Sequence, residues 1–488
     1  MNLSNIVAGF FIIAVLFILT LYLVDRLQTK HTLRRNYPIL ARIRWMLEHW
    51  GHFLRPYIIS QDHEELPFNR SQREYVYKAS KNNSLNYAFG STKPSKEGDH
   101  VFVHSMFPYM KDTQKNKPLI YGQHMGNPYS SASRFNISGM SYGALSKQAV
   151  LALSGGIKMA GGWMNTGEGA LSPYHLEGGA DIIFQIGTAK YGVGNPDATL
   201  NIEKLKAVAA IDNVKMIEIK LSQGAKPGKG GILPAEKVTE EIARIRGIEA
   251  GKPSISPNAH VDGANLDELV ELIYTVQKES NLPTGIKLVV GDPEDISLLL
   301  NKIREKMDKN NEDGYFYCPS FITIDSSLGG TGAAPMAHMM AMGLELKDSM
   351  PIVINALEKY ELRKYIKVIV SGKLITPVEA AWAFAMGADS VSSARGFLFS
   401  LGCIQALKCS KGTCPTGITT HDRRYTKGLD PEVKSVRVYN YHKNMTKDLM
   451  GIAHSCGVES FEDLKPKHLR VYNSDGYTIP VIPVKIIQ

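Results

Sequence analysis

The chain has 488 residues, of which 44% are apolar, so it is longer than a single small domain and can fill a large core. Its five cysteines, an odd number, argue against a disulfide framework and indicate a reducing compartment. The net charge of +9 has a local origin, because seven Lys or Arg residues lie between Arg26 and Arg55 against a single acid, Glu48.

The first predicted element is a membrane-spanning helix. Residues 6–24, IVAGFFIIAVLFILTLYLV, carry no charge and are long enough to cross a bilayer. Basic residues follow this run and no small-residue cleavage site is evident, which favours an anchor over a cleaved signal peptide. By the positive-inside rule we expect a single-pass membrane protein whose remaining chain lies in the cytoplasm. The alternative is a buried helix of a globular protein.

A basic segment that also contains aromatic residues follows this helix. Trp45, Trp50 and Tyr57 are interleaved with its arginines. This pattern is typical of an amphipathic segment that lies on anionic membrane lipid. A nucleic-acid surface is the alternative, but no recognised nucleic-acid-binding motif accompanies the segment. We therefore expect a lipid partner and no nucleic-acid partner.

The body of the chain alternates predicted strands and helices. This alternation fits an α/β fold of the (β/α)8 TIM barrel type better than a doubly wound sheet. No GxGxxG follows the first strand, so the usual dinucleotide-binding signature is missing. The predicted strands are 135–141, 163–166, 181–186, 216–221, 285–290, 321–325, 367–370 and 388–393. The predicted helices include 147–159, 235–245, 266–279, 335–342 and 377–386.

Polar residues follow the predicted strands, where a barrel of this type builds its active site. Lys220 and Lys287 lie inside strand segments, and a buried ammonium there needs an anionic or electron-rich partner. The turns after strands seven and eight contain Gly372 and Arg395, which suit a phosphate. A flavin fits both features, because it has a phosphate tail and a ring that gains negative charge on reduction. A salt bridge to a barrel acid is the alternative for each lysine.

Three of the five cysteines lie in one short segment, GCIQALKCSKGTCPTG. Cys403, Cys409 and Cys414 have the spacing C-x5-C-x4-C, and ligation by cysteines alone favours a soft metal or an iron–sulfur cluster. Three cysteines are one ligand short of the usual four, which suggests a three-iron cluster or a fourth ligand from elsewhere. Buried free cysteines in a reducing compartment are the alternative.

The motifs between residues 134 and 464 together resemble the FMN-binding synthase domain of glutamate synthase. The cysteine segment matches the 3Fe–4S loop of that family in both intervals, so the resemblance implies such a cluster at the three cysteines. It also implies FMN as a cofactor. The matching segments are MSYGALSKQA, NTGEG, KLSQGAKPGKGG, ISPNAHVDGANLDELVELI, DSSLGGTGAAP and CIQALKCSKGTCPTGITT.

The same resemblance implies roles for individual residues. Lys220, Gln223 and Lys226 fall on positions that surround the flavin and the 2-oxoglutarate-derived substrate in the family. Glu168 matches an acid near the active-site entrance, and Arg246 matches a carboxylate-binding arginine. We expect Lys220, Glu168 and Gln223 to be catalytic, and Gln223, Lys226 and Arg246 to bind substrate. The residues expected to hold FMN are Met140, Ser141, Thr166, Lys220, Lys287, Gly329, Gly330, Gly372 and Arg395.

Several parts of full-length glutamate synthases have no recognisable counterpart in this sequence. We see no glutaminase domain with an N-terminal cysteine, no glycine-repeat β-helix and no nucleotide-binding domain for NADPH. Thr416 is a mild departure, because the family commonly has Val there. The expected organisation is a transmembrane anchor at 1–25, a basic juxtamembrane segment and extension at 26–130, the barrel with its cysteine loop at 131–470, and a tail at 471–488.

The expected reaction follows from these parts. A 2-imino acid, formed from 2-oxoglutarate and ammonia or another amine, would be reduced to an amino acid such as glutamate. The cluster would accept electrons singly and the FMN would deliver a hydride. The expected electron donor is a ferredoxin, a reductase subunit or a quinone. Two alternatives stay open: a membrane-linked FMN and iron–sulfur oxidoreductase with another substrate, and an FMN-binding sensor without turnover.

Overall fold

A computed structural model describes residues 3–111, 117–310 and 317–481 of the chain. The chain divides into two compact units, Met1–Ser71 and Gln72–Gln488. The division lies inside the segment that the sequence predicts as a single N-terminal extension. We call the two parts the N-terminal unit and the barrel unit.

The N-terminal unit is helical. Its helices are Leu3–Leu27, Thr32–Asn36 and Leu40–Leu54, and a π-helical turn follows at Arg55–Ile59. Leu3–Leu27 contains the predicted span 6–24 and is, within the described part of the chain, the one helix long and apolar enough to cross a membrane. Its most apolar window has a mean hydropathy of 2.8 and is not buried inside the protein.

Asp25, near the end of the long N-terminal helix, connects the helices of this unit. Its carboxylate accepts hydrogen bonds from the guanidinium Nε of Arg34 at 2.8 Å and of Arg42 at 2.7 Å. The backbone N–H of Ile39 donates a further bond at 3.1 Å. The Asp25 side chain is fully buried, and these charge-assisted bonds compensate for its loss of water. Arginines of the basic segment therefore have a structural role inside the unit.

Eight parallel strands close into a barrel in the second unit, as predicted. Each strand pairs with its neighbours in chain order, and the eighth pairs with the first. The strands are mostly buried apolar segments, as expected of a parallel sheet that is covered on both faces. From β1 to β8 they are Phe135–Ile137, Trp163–Asn165, Asp181–Ile186, Val214–Lys220, Thr284–Leu288, Phe321–Asp325, Lys367–Ser371 and Ser390–Ser393.

Helices surround the barrel. One of them, Lys147–Met159, begins after Ser146, whose side chain accepts a hydrogen bond from the N–H of Ala149 as an N-cap. The α-helices of this unit are Arg70–Ser80, Lys147–Met159, Pro173–Glu177, Ile202–Ala209, Glu240–Arg246, Leu266–Ser280, Pro293–Asn310, Met336–Ala341, Leu346–Lys359, Pro377–Ala385, Arg395–Leu401, Arg423–Thr426 and Pro431–Ser455. Short 3-10 helices lie at Ala235–Lys237, Cys409–Lys411, Phe461–Asp463 and Pro466–His468.

One predicted helix, 235–245, is wrong in its bounds. The segment forms a 3-10 turn at Ala235–Lys237 and a separate α-helix at Glu240–Arg246. Thr239 separates them, because its backbone is extended and its side chain accepts a hydrogen bond from the N–H of Ile242. A threonine in that position caps a new helix, so the earlier residues cannot be part of it.

Two small sheets and a hairpin complete the barrel unit. The antiparallel hairpin Leu119–Tyr121 and Tyr129–Ser131 contributes Tyr121 to a core cluster with Trp163 and Phe321, the first residues of β2 and β6. The hairpin therefore covers the amino ends of the strands and leaves their carboxyl ends for the loops. The other short strands are His100–Phe102, Leu469–Tyr472 and Thr478–Pro480 in one sheet, and Ile232–Leu233 and Ser254–Ile255 in another.

Candidate active site

The carboxyl ends of β2 and β4 bring together Glu168, Lys220 and Gln223. Lys220 is the last residue of β4, and Glu168 lies in the loop after β2. The ammonium of Lys220 lies 2.9 Å from Glu168 Oε1 and also donates a hydrogen bond to Gln223 Oε1. The amide of Gln223 in turn donates to Thr331 Oγ1 at 3.2 Å, which connects this group to the loop after β6. The three predicted catalytic residues are therefore direct neighbours.

Two further cations, Lys226 and Arg246, lie near the Glu168 carboxylate and are almost fully buried, with exposures of 2% and 8%. Burial by itself raises the pKa of the Glu168 carboxyl. The positive charges of Lys220, Lys226 and Arg246 outweigh burial, so this pKa lies below its ordinary value. Burial also lowers the pKa of the Lys220 and Lys226 ammonium groups.

Glycines leave the space that the Glu168 side chain occupies. A Cβ at Gly187 would come within 2.6 Å of the Glu168 Cβ, and a Cβ at Gly231 would overlap the Glu168 carboxylate. Any larger residue at either position would displace this side chain. The loops after β3 and β4 therefore hold Glu168 beside Lys220.

Arg246, from the helix that Thr239 caps, reaches the same pocket. Its guanidinium donates to the carbonyl of Tyr142 at 3.4 Å and lies over the ring of Tyr191, 5.2 Å from its centroid. A Cβ at Gly169, next to Glu168, would lie 2.7 Å from Arg246 Nη2. The structure thus places the three predicted catalytic and substrate-binding cations, Lys220, Lys226 and Arg246, in one region with the Glu168 carboxylate.

Lys287 on β5 forms the buried salt bridge that the sequence allowed as an alternative. Its ammonium lies 3.2 Å from Asp325 Oδ2, at the end of β6, and the two side chains are each 8% exposed. Burial lowers the pKa of Lys287, but the charges of Asp325 and Glu218 outweigh burial and raise it above its ordinary value. The same Asp325 oxygen accepts from the N–H of Gly224 at 3.0 Å.

The loops after β6, β7 and β8 form a narrow glycine-lined cradle. A Cβ at Gly330 would lie 2.9 Å from Arg395 Nε, and a Cβ at Gly372 would overlap Ser326. Gly372 has a φ of +130°, a conformation that favours glycine. Arg395 donates to the carbonyl of Leu328 at 2.5 Å. Gly329 lies in the same cradle, where a Cβ would come within 3.1 Å of an Asp325 carboxylate oxygen.

The loops after β1 and β2 place Met140 and Ser141 beside Thr166 and Gly167. A Cβ at Gly167 would come within 2.8 Å of the Ser141 nitrogen, so the two loops touch. The Thr166 hydroxyl accepts from the N–H of Gln185 at 3.0 Å and donates to the carbonyl of Gly167 at 2.9 Å. Because these bonds hold the hydroxyl within the barrel, the Thr166 side chain has a structural role here.

Sequence reasoning missed one ionisable residue of the barrel interior, Glu218. Its carboxylate accepts from Asn165 at 2.8 Å, from Gln185 at 2.7 Å and from Thr323 at 2.6 Å. Glu218 lies two residues before Lys220 on β4, and alternate residues of a strand share a face. This period-two relation was the available signal.

The cysteine loop follows the helix Arg395–Leu401. The Tyr77 hydroxyl donates to the Cys403 carbonyl at 2.6 Å, and the Lys237 ammonium donates to the Cys409 carbonyl at 2.7 Å. The Cys414 sulfur lies 3.3 Å from the Thr416 hydroxyl. Burial, and then the neighbouring cysteines, raise the pKa of the Cys403 thiol to about 12.

The three thiols lie near enough to influence one another electrostatically. Within the described ranges, however, no group of three His, Cys, Asp or Glu side chains is close enough to hold a metal ion. The loop thus has the ligand type and the neighbouring cation Lys237 that an iron–sulfur cluster suits, but the thiols are not gathered at ligand distance.

Comparison with known proteins places this site in a family. A family model described as the conserved region in glutamate synthase matches residues 71–459. The glutamate synthase large subunit-like protein YerD of Bacillus subtilis is 37% identical, over 97% of this chain and 96% of its own length. An archaeal-type glutamate synthase (NADPH) of Thermotoga maritima is 31% identical, over 71% of this chain and 64% of its own.

The chain thus spans less than two thirds of the archaeal-type relative. Among solved structures, a mandelate oxidase is 13% identical with a TM-score of 0.44, over 76% of this chain and 87% of that one. The family match covers the barrel, the Glu168–Lys220 site and the cysteine loop. The chain belongs to the glutamate synthase family of oxidoreductases.

Proposed function

We propose that the protein reduces a 2-imino acid, formed from 2-oxoglutarate and ammonia or another amine, to an amino acid such as glutamate. The observation that carries this proposal is the charge of the pocket around Glu168. Three nearly buried cations, Lys220, Lys226 and Arg246, surround one carboxylate, so positive charge exceeds negative charge around Glu168.

Buried cations without counter-charges are costly, because burial removes the water that would solvate them. A dicarboxylate such as 2-oxoglutarate carries two negative charges and would neutralise this excess. Gln223, which bridges Lys220 and Thr331, has an amide that is suited to bind a carboxylate or an oxo group. Gln223, Lys226 and Arg246 are therefore the proposed substrate-binding residues.

FMN is the proposed redox cofactor, and it supplies hydride transfer when bound. Gly329, Gly330, Gly372 and Arg395 would hold its phosphate, because the glycine cradle lets backbone N–H groups approach closely and Arg395 adds a positive charge. The loops after β1 and β2 would contribute Met140, Ser141 and Thr166 to the flavin site. Lys220 of β4 and Lys287 of β5 would complete it.

Lys220 is the proposed main contributor to catalysis in this chain. Its ammonium is held by Glu168 and Gln223, and it would stabilise the negative charge that a flavin ring gains on reduction. Glu168 keeps the ammonium in place and balances its charge while the site is empty.

A 3Fe–4S cluster held by Cys403, Cys409 and Cys414 is the proposed second cofactor, and it supplies single electrons. Family membership and the cysteine spacing support it, as does the positive charge of Lys237 beside the loop. Ferredoxin, a reductase subunit or a quinone is the proposed class of electron donor.

We also propose that the protein is anchored by Leu3–Leu27 as a single-pass membrane protein with the barrel unit in the cytoplasm. The length and hydropathy of this helix support the span. The basic residues that follow it, from Arg26 onward, support the orientation and contact with anionic lipid.

An anaerobic reoxidation assay tests the proposed reaction. Enzyme reduced with dithionite is mixed with 2-oxoglutarate and ammonia, and flavin reoxidation and glutamate formation are followed together. Lys220→Ala should make the flavin harder to reduce and lower turnover on the order of 100-fold, because a preorganised charge that stabilises the reduced flavin is lost. Lys215 lies on the same strand, but its ammonium is 3.5 Å from Asp212 near the protein surface. Lys215→Ala is therefore the matched control and should retain the wild-type turnover.

The possible results separate the alternatives. Glutamate formed in proportion to reoxidised flavin supports the proposal. Reoxidation without an amino-acid product would show that another compound accepts the electrons. If the protein holds FMN and iron but none of the oxo acids tried reoxidises it, the result would contradict the proposed reaction. It would favour an FMN-binding sensor without turnover.

A further inference from the structure

A fully buried lysine outside the site, Lys190, uses all three of its side-chain donors. It lies in the loop after β3 and has an exposure of 0%. Its ammonium forms an ion pair with Asp262, donates to the carbonyl of Ala198 at 3.1 Å and lies 3.2 Å from His260 Nδ1. An ammonium has three N–H donors and no acceptor, so its bonding capacity is filled.

This arrangement determines which ring nitrogen of His260 carries the proton. Because Lys190 can only donate, His260 Nδ1 must be the acceptor and therefore has no hydrogen. The proton of the neutral ring is then on Nε2, which lies 3.0 Å from the backbone carbonyl of Lys220 and donates to it. Burial, together with the charge of Lys190, lowers the pKa of His260 to about 4, so the ring is neutral at pH 7.

The hydrogen bonds form one continuous chain from the loop to the end of β4. Asp262 is itself fixed, since its second carboxylate oxygen accepts from the N–H of Leu200 at 2.8 Å. Lys190 has a φ of +48°, which residues other than glycine rarely adopt. A lysine is present at this position despite the backbone cost, which is consistent with a need for its side chain.

We propose that Asp262, Lys190 and His260 form a positioning relay that holds the end of β4 and thereby orients the Lys220 ammonium. This inference rests on the proposed function of Lys220. None of the three relay residues touches the reacting groups themselves; they act through the Lys220 backbone. The two residues after Lys220 are held from the other side, because the N–H groups of Leu221 and Ser222 donate to the Lys287 carbonyl at 2.8 and 3.4 Å.

The first test measures the midpoint potential of the flavin in the full-length protein. Lys190→Met keeps the side-chain volume but removes the donors, so His260 can change tautomer and lose its bond to Lys220. We expect a shift to a more negative potential, in the direction of Lys220→Ala but smaller. His260→Leu should behave like Lys190→Met, whereas His260→Gln keeps a donor for the carbonyl and should restore most of the wild-type potential.

A double-mutant cycle separates positioning from general structural damage. In the Lys220→Ala background, Lys190→Met should produce no further shift, because the group that it positions is gone. Equal shifts in both backgrounds would overturn the relay. Lys204→Met is the matched control: this exposed lysine donates to the Gly194 carbonyl in the same loop and should leave the potential unchanged.

Hydrogen exchange tests the relay without reference to the flavin. Lys190→Met should accelerate exchange of the Leu221 and Ser222 amides, while β6 exchanges as in the wild type. Unchanged exchange at these two amides would overturn the relay even if the proposed function holds. Faster exchange there, together with a Lys220→Ala variant whose flavin potential is that of the wild type, would support the relay and contradict the proposed role of Lys220.

Discussion

At the scale of single residues, the site depends on a shared carboxylate. Glu168 lies between glycines at 187 and 231 and balances part of the charge of three buried cations. Its pKa is held below the ordinary value by these cations, so it is ionised at neutral pH. If this carboxylate moved away, the buried cations would need another anion to balance their charge. We propose that the substrate carboxylates have this role.

Variants of two lysines in the loop after β4 allow substrate binding to be tested separately from catalysis. Lys226 is 2% exposed, whereas Lys229 is exposed at the surface. Lys226→Ala should raise KM for 2-oxoglutarate with little change in kcat, because a carboxylate contact made equally in the ground and transition states is removed. Gln223→Ala should act in the same way, and Lys229→Ala should leave both constants unchanged. Steady-state kinetics test this, and a fall in kcat at constant KM would contradict a binding role for Lys226.

At the scale of elements, short loops carry the proposed cofactor sites, and strands and helices position these loops. The helix Lys147–Met159 packs against Pro431–Ser455 through Gly155 and Gly156, where a Cβ at Gly156 would overlap Val438. Glycine is unfavourable inside a helix, and here the close approach of a second helix accounts for it. The second helix also carries Tyr441, whose hydroxyl donates to the Ile375 carbonyl at 2.8 Å in the loop after β7.

The cysteine loop yields a prediction at this scale. Cys409→Ser should remove the iron and its electron paramagnetic resonance signal, because a hydroxyl is a poor substitute for a thiolate ligand. Most of the FMN should remain, since the proposed flavin-binding loops are other segments of the barrel. Cys456→Ser, which alters a buried cysteine outside the loop, is the control and should retain the iron. Iron content that is unchanged in Cys409→Ser would exclude the cluster assignment.

At the scale of the whole molecule, buried neutral histidines make the stability of the barrel unit depend on pH. Burial lowers the pKa of His175 to about 4, and it has the same effect on His442. His260 is a third case, as described above. Between pH 6.5 and pH 4 the unfolded chain binds protons that the folded rings cannot bind. The contribution of these neutral rings to the free energy of unfolding is therefore fully present above about pH 6.5. It falls as the pH decreases toward 4.

His442→Gln tests this pH dependence. The Gln side chain can still bond the Ser133 hydroxyl, which lies 2.7 Å from His442 Nε2, but it does not titrate. Denaturant unfolding of the full chain at several pH values should show a slope reduced by about 1.4 kcal/mol per pH unit between pH 6 and pH 5, the value for one proton. An unchanged slope would show that His442 does not remain neutral in the folded protein.

The N-terminal unit provides a second prediction for the whole molecule. Deletion of residues 1–24 should move much of the protein out of the membrane fraction, because the one described helix able to span a bilayer is lost. The basic segment should retain a salt-sensitive part at the membrane surface. A topology reporter fused to the C-terminus should show that this end of the chain is in the cytoplasm. A periplasmic or lumenal reading would overturn the orientation that the positive-inside rule predicts.

Local patterns in the sequence were enough to predict that eight strands form a barrel with polar residues after the strands. Some predicted bounds were wrong, since the first strand, predicted at 135–141, ends at Ile137. The patterns were enough because a buried parallel strand is a short apolar segment bounded by turns, and this signal needs no knowledge of distant residues. The spacing of Cys403, Cys409 and Cys414 is equally local. The resemblance to the glutamate synthase family rested on such short motifs, and the family match confirmed it.

Only the tertiary structure decided which charges meet. Glu168 pairs with Lys220 from another strand, Lys287 with Asp325, and Lys190 with Asp262, which is 72 residues away in sequence. These pairs form because barrel closure brings the carboxyl ends of different strands to one rim, and the choice of partner then depends on distances of a few ångströms. A sequence pattern indicates that a buried lysine needs a partner, but the partner itself is determined by the packing of the loops.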